Sequence, residues 1–259
     1  MKVKESNYFH PEVNKAFFSA SQIKSFLECQ AATMAELEGK YHRDKSTSLM
    51  VGSYVDAYFS GEMGDFLSQN PEVFNSRTGE LKSTYKQADT IIERIERDPM
   101  FMEYLDGEKQ KIMVGEIDGF PFKIKMDAYH PHEKIVDLKI MRDLKPVYKD
   151  GEFKNFVTAW HYDIQGYVYQ SIVEYNMGEK LPFYLAVATK ETHPDIAIVE
   201  IPQYQLDAVA GLVKHYLPIF DAVKRGDREP ERCEKCAWCR DSRVLTKVID
   251  YEELLIERR

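Results

Sequence analysis

Two opposite charges, Asp137 and Lys139, lie one residue apart inside the apolar run "IVDLKI" at positions 135 to 140. Side chains alternate between the two faces of a β-strand, so we expect both charges to project from the same face. The preceding strand-like run, "FPFKIKMDAYH", carries Asp127 near its end. If the two strands pair, the two carboxylates and the ammonium group converge at one place on the sheet.

Two carboxylates that lie close together repel each other and raise each other's pKa, unless a divalent cation lies between them. Oxygen ligands of this kind suit Mg²⁺ or Mn²⁺, which keep several waters and take substrate phosphates as further ligands. Lys139 would orient or help to deprotonate an attacking water and would stabilise negative charge on a phosphate. The pattern therefore indicates phosphate chemistry, with a solvent-facing Asp–Lys ion pair as the alternative.

The wider sequence resembles a known superfamily. "FKIKMDAYHPHEKIVDLKIM" resembles the PD-(D/E)XK nuclease motif, "QGYVY" (165–169) matches the Q-x-x-x-Y helix of the RecB-like branch, and "VGSYVDAYFSG" is similar to the first motif of that branch. From about residue 20 to 240, the order of segments is similar to phage RecE-type (exodeoxyribonuclease VIII-like) exonucleases. The resemblance implies an α/β (α+β) fold with a restriction-endonuclease-like core, in which helices flank a central mixed β-sheet.

The resemblance also implies a role for each matching residue. Asp127 and Asp137 would be metal ligands together with the backbone carbonyl of Leu138, and Lys139 would be the catalytic lysine. Asp56 stands where the branch carries a metal-binding His, and a carboxylate there would add charge to the site. The cofactor implied is Mg²⁺ or Mn²⁺.

Further residues are candidates for the same site. Some members of the superfamily carry an additional acid, for which both Glu108 and Glu116 are candidates. Gln165 and Tyr169 lie four residues apart and therefore share one helix face, which in the family meets the DNA backbone or supports the active site. Several lysines could line a groove that follows the phosphates, with Lys123 and Lys125 next to the acids: Lys123, Lys125, Lys145, Lys149, Lys154 and Lys190.

Three of the four cysteines form the run "RCEKCAWCR" (Cys233, Cys236 and Cys239), and the fourth, Cys29, lies near the other end of the chain. In a reducing compartment, such a group more often binds metal than forms disulfides. Four thiolates can hold zinc or a [4Fe–4S] cluster. The close C-x-x-C-x-x-C spacing favours iron–sulfur, with zinc as the alternative, and the distribution resembles the iron–sulfur staple of AddB-type nucleases.

Length and composition fit one large domain. The chain has 259 residues and a formal net charge of −8, which disfavours a partner held by bulk electrostatics alone but permits a local basic groove. No stretch approaches the roughly 18 apolar residues of a membrane span, so we expect a cytoplasmic protein without membrane contacts. We expect a single nuclease domain over residues 1–259. A metal would tie its N-terminal helical part (about 19–105) to its cysteine segment (about 230–245).

Local patterns predict the order of elements. Ser19 and Gln22 resemble a capping box and predict one helix through "FFSASQIKSFLECQAATMAELEG". The runs "KQKIMVGEI", "FPFKIKMDAYH" and "KIVDLKIM" predict a three-stranded meander. Helical spacing returns in "TAWHYDIQGYVYQSIVEYNMG", and two further strands precede a helix from about Gln205 to Lys224.

Two hypotheses for function follow. The first is a metal-dependent DNA exonuclease that hydrolyses phosphodiester bonds at DNA ends, in phage-type recombination or DNA repair, with a single-strand annealing recombinase as an implied partner. The alternative is a non-catalytic DNA-binding or structural subunit of a recombination or nuclease complex. The sequence leaves the polarity of degradation, the preference for duplex or single strands, and the oligomeric state open.

Overall fold

The computed structural model describes residues 1–43 and 46–252. The α-helices in these ranges are α1 (Pro11–Ala16), α2 (Ala20–Glu28), α3 (Gln30–Leu37), α4 (Thr47–Ser60), α5 (Met63–Gln69), α6 (Gln87–Glu96), α7 (Pro99–Leu105), α8 (Phe156–Ala159), α9 (Tyr162–Met177), α10 (Gln203–Arg225) and α11 (Ala237–Asp241). The strands are β1 (Glu108–Ile117), β2 (Phe120–His130), β3 (Lys134–Met141), β4 (Val147–Lys149), β5 (Glu152–Lys154), β6 (Phe183–Thr189) and β7 (Ile196–Ile201). Within the described ranges, none of the helices has the length and apolar content that crossing a bilayer requires.

Five strands form the central sheet in the order β1-β2-β3-β6-β7. The predicted meander is confirmed, because β1, β2 and β3 pair antiparallel in sequence order. β3 and β6 run parallel and β7 returns antiparallel to β6, so the long helix α9 is the crossover connection that a parallel pair needs. The predicted fold class, a mixed sheet flanked by helices, is confirmed. The remaining strands, β4 and β5, form a separate hairpin.

Each face of the sheet is covered by its own hydrophobic core. On one face, residues of α2, α9 and α10 pack against the sheet, with Phe26, Ile164 and Phe220 fully or almost fully buried. On the other face, α4, α6 and α7 contribute a second core that includes Val55 and Ile91. Burial on both sides explains why β3 reads as a nearly continuous apolar run, in which the two charges are exceptional.

The sequence predicts one N-terminal helix, but the structure has two helices there, because the helical backbone is interrupted at Cys29. Ser19 caps α2 as expected, since its hydroxyl accepts the N–H of Gln22 at 3.3 Å. Cys29, however, has an extended backbone (φ −166°, ψ 109°) and is both the last cap of α2 and the first cap of α3. Its sulfur accepts the N–H of Ala32 at 3.4 Å, so a thiol fills the role that a hydroxyl or carboxylate usually has at a helix start.

Gly166 sets how closely α9 approaches the sheet. A Cβ at this position would lie 2.8 Å from Cδ1 of Phe183 on β6 and 2.9 Å from Cδ2 of Leu206 on α10. Both neighbours are buried, so a methyl group would force the packed elements apart. We therefore expect Gly166→Ala to lower the free energy of unfolding by about 1–3 kcal/mol, the usual cost of overpacking. Urea unfolding followed by circular dichroism measures the change.

Gly211 on α10 is the matched control. It is also helical, but a Cβ there would meet nothing within 4 Å. Gly211→Ala should therefore raise the free energy of unfolding by about 0.5–1 kcal/mol through helix propensity. Equal effects of the two substitutions would contradict the role given to Gly166.

Candidate active site

The candidate site lies where β2 and β3 separate. The two strands pair through three residues, Ala128 with Val136, Tyr129 with Ile135 and His130 with Lys134. Beyond this point the strands diverge, and the place of the next ladder partner is taken by a side chain: the N–H of Leu138 donates to Oδ2 of Asp127 at 2.8 Å. We call this point the fork. At the fork, the carboxylate of Asp127 binds the N–H of the residue that directly follows Asp137 in the chain.

Asp137 and Lys139 project together from β3 toward α9, as strand alternation predicts. Asp137 is 2% exposed, and its Oδ2 forms an ion pair with the ammonium of Lys139. Its Oδ1 accepts the amide N–H of Gln165 at 2.6 Å. The Lys139 ammonium also lies 3.4 Å from the carbonyl oxygen of Leu138. Three of the predicted site residues and the predicted backbone carbonyl therefore lie within direct contact of one another.

Tyr169, one turn after Gln165 on α9, reaches β2 instead of the carboxylates. Its hydroxyl donates to the backbone carbonyl of Lys125 at 2.9 Å, and burial raises the pKa of this phenol well above its usual range. A buried, protonated hydroxyl is a fixed hydrogen-bond donor. The contact therefore holds the diverging part of β2, which carries Asp127, at a set distance from α9.

Asp56 approaches from the other face of the sheet. α4, which carries it, packs against β3, and the carboxylate senses the charges of Lys139, Asp137 and Lys125. Burial is the largest cause that raises the pKa of Asp56, and repulsion from Asp137 adds to it while the two ammonium groups oppose it. The structure thus places Asp56 near the fork, as its position in the first motif implies.

The electrostatics of the site disfavour the charged form of Asp127. Burial raises the pKa of Asp127 well above its ordinary value, and repulsion from Asp137 and Asp56 raises it further. Burial alone would lower the pKa of Lys139, but the attraction of Asp137 and Asp127 outweighs it and raises the pKa. Carboxylate and carbonyl oxygens in such a cluster are the donor set that Mg²⁺ and Mn²⁺ prefer, so the residues fit a divalent cation.

The acids do not yet form a compact ligand set. Among the described residues, the three carboxylates do not bring their oxygens within 4.8 Å of one another as a group. In this arrangement the Lys139 ammonium neutralises Asp137, and the N–H of Leu138 binds Asp127. A bound cation would compete with both of these positive partners.

Two residues at the site escaped the sequence analysis. Lys24 on α2 donates to Oε1 of Gln165 at 3.2 Å, and its ammonium lies 5.0 Å from the ring centroid of Tyr162. Gln110 on β1 lies opposite Asp127 with a positive φ of 50°, and its amide nitrogen is 3.5 Å from Oδ1 of Asp127. Lys24 carries no sequence signal, since it reads as a helix lysine, whereas the strand register would have found Gln110.

Other predicted residues lie away from the fork or are already engaged. Glu108 and Glu116 are exposed on β1, and Glu108 pairs with Lys111 at 2.6 Å, so neither acid is brought to Asp127. Lys123 is 1% exposed, and its ammonium binds the carbonyl of Tyr8 and, at 2.6 Å, Oδ1 of Asn14. Its ammonium is therefore engaged by the protein itself, and a DNA contact by Lys123 stays a prediction.

Lys125 is also held by the protein itself. Its side chain is 12% exposed and lies between Glu62, at 2.8 Å, and Glu5, at 3.6 Å. A DNA contact by Lys125 remains a prediction, and in this structure it would require release from these two acids.

The four cysteines meet at one point. Their sulfurs all lie within 4.8 Å of one another, with 3.5 Å between Cys29 and Cys239 and 4.0 Å between Cys233 and Cys239. Backbone N–H groups donate to three of the sulfurs, those of Cys29, Cys233 and Cys236. Burial opposes ionisation of Cys233, but the N–H groups of Cys236 and Lys235, together with hydrogen bonds from the thiols of Cys236 and Cys29, outweigh it and lower its pKa to about 7. We call this group the cysteine cluster.

The sulfur separations in the cysteine cluster bear on what it can hold. One tetrahedral ion with metal–sulfur bonds of about 2.3 Å places its sulfurs about 3.8 Å apart, and the two measured separations lie on either side of that value. A [4Fe–4S] core places four irons between the thiolates and needs a wider spacing. The geometry therefore fits a single ion more closely than the expected iron–sulfur cluster.

Comparison with known proteins identifies the family. A family model described as a PDDEXK-like domain of unknown function (DUF3799) matches residues 19–242. The chain belongs to this family. A solved structure from Eubacterium rectale, described as a "Putative exonuclease", is similar to this PDDEXK-like chain with 46% identity, coverage of 99% of each chain and a TM-score of 0.94.

A second solved structure, described as SSO0001, shares 14% identity over 84% of this chain and 92% of its own, with a TM-score of 0.33. That likeness is too low to support any inference. No curated protein matches this PDDEXK-like chain significantly.

The pKa of Lys24 predicts how stability changes with pH. Burial, followed by repulsion from Lys139, lowers this pKa from 10.5 to about 8, so the folded protein binds the proton more weakly than the unfolded chain. Between about pH 8 and 10.5 the unfolded state carries the extra proton, and the free energy of unfolding rises with pH in this window. In Lys24→Met the rise measured by urea unfolding between about pH 7.5 and 9.5 should be smaller.

Lys40→Met is the control, since Lys40 is an exposed lysine whose side chain is 65% accessible. The free energy of unfolding of the Lys40→Met variant should change with pH as that of the wild-type protein does. A Lys24→Met profile parallel to wild type would contradict the lowered pKa.

Proposed function

We propose that this PDDEXK-like protein is a metal-dependent DNA exonuclease that hydrolyses phosphodiester bonds at DNA ends. The observation that carries the proposal is the fork, where Asp127 binds the N–H of Leu138 while Asp137 and Lys139 form a buried ion pair beside it. Buried carboxylates that repel one another lower the stability of the fold, and such groups cluster at metal-binding and catalytic sites. Their arrangement supports a nuclease better than a purely structural role.

The proposed chemistry assigns one task to each group. Asp127, Asp137 and the Leu138 carbonyl would hold Mg²⁺ or Mn²⁺, with Asp56 completing the set, and the cation would polarise a phosphate oxygen as a Lewis acid. The Lys139 ammonium would orient the attacking water and stabilise charge that develops on the phosphate.

Gln165 and Tyr169 would act mainly as positioning residues in this proposal. Gln165 holds Oδ1 of Asp137, which fixes the carboxylate in the orientation that leaves Oδ2 facing Lys139. Tyr169 holds the backbone of β2 at Lys125. Any contact of either side chain with the DNA strand would come in addition to these tasks.

Two further observations support action on DNA ends. The Eubacterium rectale relative is described as a "Putative exonuclease", and the chain resembles RecE-type exonucleases in the order of its motifs. By that resemblance the enzyme would act in phage-type recombination or DNA repair and would supply single strands to an annealing recombinase. The whole chain would act as one nuclease domain.

Lys139→Ala tests catalysis directly. Removing a charge-stabilising donor from an active site lowers the rate by about 100-fold or more, so we expect at least that loss in the release of nucleotides from linear duplex and single strands. The assay is run with Mg²⁺ and with Mn²⁺, against a control that contains the metal ion alone. Lys111→Ala is the matched control, because Lys111 lies on the edge strand β1 and pairs with Glu108.

The same assay decides between the two functional hypotheses. If neither wild type nor Lys139→Ala degrades DNA beyond the metal-only control, the alternative holds, and the protein is a DNA-binding or structural subunit. If wild type and Lys111→Ala degrade DNA equally and Lys139→Ala does not, the enzyme hypothesis is supported.

For the cysteine cluster we propose a structural metal that ties α2 and α3 to the C-terminal segment. The start of α3 already contacts the segment before the three clustered cysteines. The N–H of Ala31 donates to the carbonyl of Glu231 at 3.0 Å, and the N–H of Glu231 donates to Gln30 at 3.1 Å. The sulfur separations favour one tetrahedral ion such as Zn²⁺, although the cysteine spacing in the sequence favours [4Fe–4S]. The metal would close a loop of some two hundred residues, which stabilises the fold.

Substitution of Cys29 separates metal binding from helix capping. Cys29→Ser keeps an oxygen that can accept the N–H of Ala32 but removes the thiolate, whereas Cys29→Ala removes both. We expect both variants to lose the bound metal and to unfold at lower temperature, as measured by elemental analysis and thermal melting. A Cys29→Ser protein with wild-type metal content and melting temperature would contradict the proposal.

Elemental analysis of the wild-type protein identifies the metal. Brown colour and four irons per chain would identify an iron–sulfur cluster, and one zinc ion per colourless chain would identify a zinc site.

A further inference from the structure

The hairpin of β4 and β5 presents two aromatic rings to solvent. Tyr148 and Phe153 are paired across the two strands, and their rings meet edge to face with centroids 5.2 Å apart. They are 66% and 74% exposed. The turn between the strands is tight, because Asp150 and Gly151 both have positive φ, as a two-residue Asp-Gly turn requires. The rings therefore project from a short, well-defined support.

The opposite face of the hairpin is anchored to the protein. Val147 is half-buried and packs against the core on the sheet face covered by α2, α9 and α10. The ammonium of Lys149 donates to the carbonyl of Ala159 at 2.8 Å and lies 5.1 Å from the ring centroid of Trp160. An isolated two-stranded hairpin is marginal in water, so these contacts hold it in place. Among residues 1–43 and 46–252, no helix or strand covers Tyr148 and Phe153.

The hairpin lies in the connection between two elements of the candidate active site. It connects β3, which carries Asp137 and Lys139, to the start of α9, which carries Gln165. Tyr162 joins the two sides, since its hydroxyl donates to the sulfur of Met141 at 3.4 Å and its ring centroid lies 5.4 Å from the Lys139 ammonium. Trp160, two residues before Tyr162, is a third exposed ring at 44%. Tyr162 thus lies against the Lys139 ammonium, and Trp160 lies against Lys149 on the anchored face of the hairpin.

We propose that Tyr148 and Phe153 form a stacking platform for unpaired nucleobases of the DNA strand that enters the site. The inference deepens the proposed nuclease function and rests on it for the identity of the ligand. Stacking on aromatic side chains tolerates any base, because every base has a flat π-face. Bases inside an intact duplex are not available for it. The platform therefore selects DNA ends and single strands over closed duplex.

The chemistry of the hairpin favours bases over phosphates as its ligand. Its cations are largely matched by acids, since Lys154 lies 3.2 Å from both Asp150 and Glu152, and Lys149 is engaged by Ala159. A surface that bound phosphates would carry unmatched positive charge. Two exposed rings on a nearly neutral hairpin instead offer apolar, planar contact area. Binding through this surface should depend little on salt.

The test measures binding, which is independent of hydrolysis. A fluorescein-labelled single-stranded oligonucleotide is titrated with protein in buffer without added divalent metal, and closed-circular duplex serves as the competitor without ends. Loss of base stacking costs about 1–3 kcal/mol per base, so the double variant Tyr148→Ala/Phe153→Ala should bind the single strand about 5- to 150-fold more weakly. The slope of log affinity against log salt should not change, because no phosphate contact is lost.

Two controls make the result specific. Tyr204→Ala removes a ring that is 75% exposed on α10 and should bind like wild type. The ring-exchanged variant Tyr148→Phe/Phe153→Tyr keeps both π-faces and should also bind like wild type. Light scattering of wild type and the double variant reports whether the patch joins two copies of the chain.

Several outcomes overturn the inference. The double alanine variant would do so if it bound with wild-type affinity or with a reduced salt slope. Weak binding by the ring-exchanged variant, or no single-strand binding by wild type, would do the same. So would a lower mass of the double alanine variant than of wild type in light scattering, because it would show that the patch joins two copies of the chain. The fate of the proposed function is separate. Ring-dependent binding without any hydrolysis in Mg²⁺ supports the platform and removes the nuclease, whereas hydrolysis with unaffected binding in the double variant does the reverse.

Discussion

The bond from the N–H of Leu138 to Asp127 is the constraint on which the rest of the site depends. It replaces a ladder bond between two backbones with one between a backbone and a side chain, so β2 and β3 can part while Leu138 stays satisfied. The β2–β3 ladder therefore ends at the pair of Ala128 and Val136, directly before the two carboxylates. The two charged residues are tolerated in this buried strand because each has a partner: Asp137 pairs with Lys139 and accepts the amide N–H of Gln165.

Helices on both faces of the sheet contribute side chains near the fork. α9 and α2 supply Gln165 and Lys24 from one face, and α4 supplies Asp56 from the other. Each acid has at least one positive or hydrogen-bonding neighbour, yet repulsion among the acids persists and raises the pKa of Asp127. The site is therefore held together by the surrounding helices and not by its own charges. Tight packing, such as that around Gly166, is what keeps it assembled.

Sequence reasoning works where a short period or a local motif decides the structure. Alternation placed Asp137 and Lys139 on one face, and the meander follows from three regular runs. It does not work where distant segments decide. The break at Cys29 depends on contacts about two hundred residues away, the burial of Lys123 depends on Tyr8 and Asn14, and nothing near Lys24 indicates that it meets Gln165. These features arise from tertiary packing, which overrides local propensity.

α2 begins beside the main core, carries Lys24 in its middle and ends at Cys29. Cys29 follows Lys24 by five positions, which at 1.5 Å per residue corresponds to about 7.5 Å along the helix axis. An agent that modifies the thiols, such as an oxidant, would therefore disturb a helix that also supports the amide facing Asp137. One short helix thus links the thiol of Cys29 to the amide that holds Asp137, so a change at the cysteine cluster would shift a hydrogen-bond partner of that carboxylate.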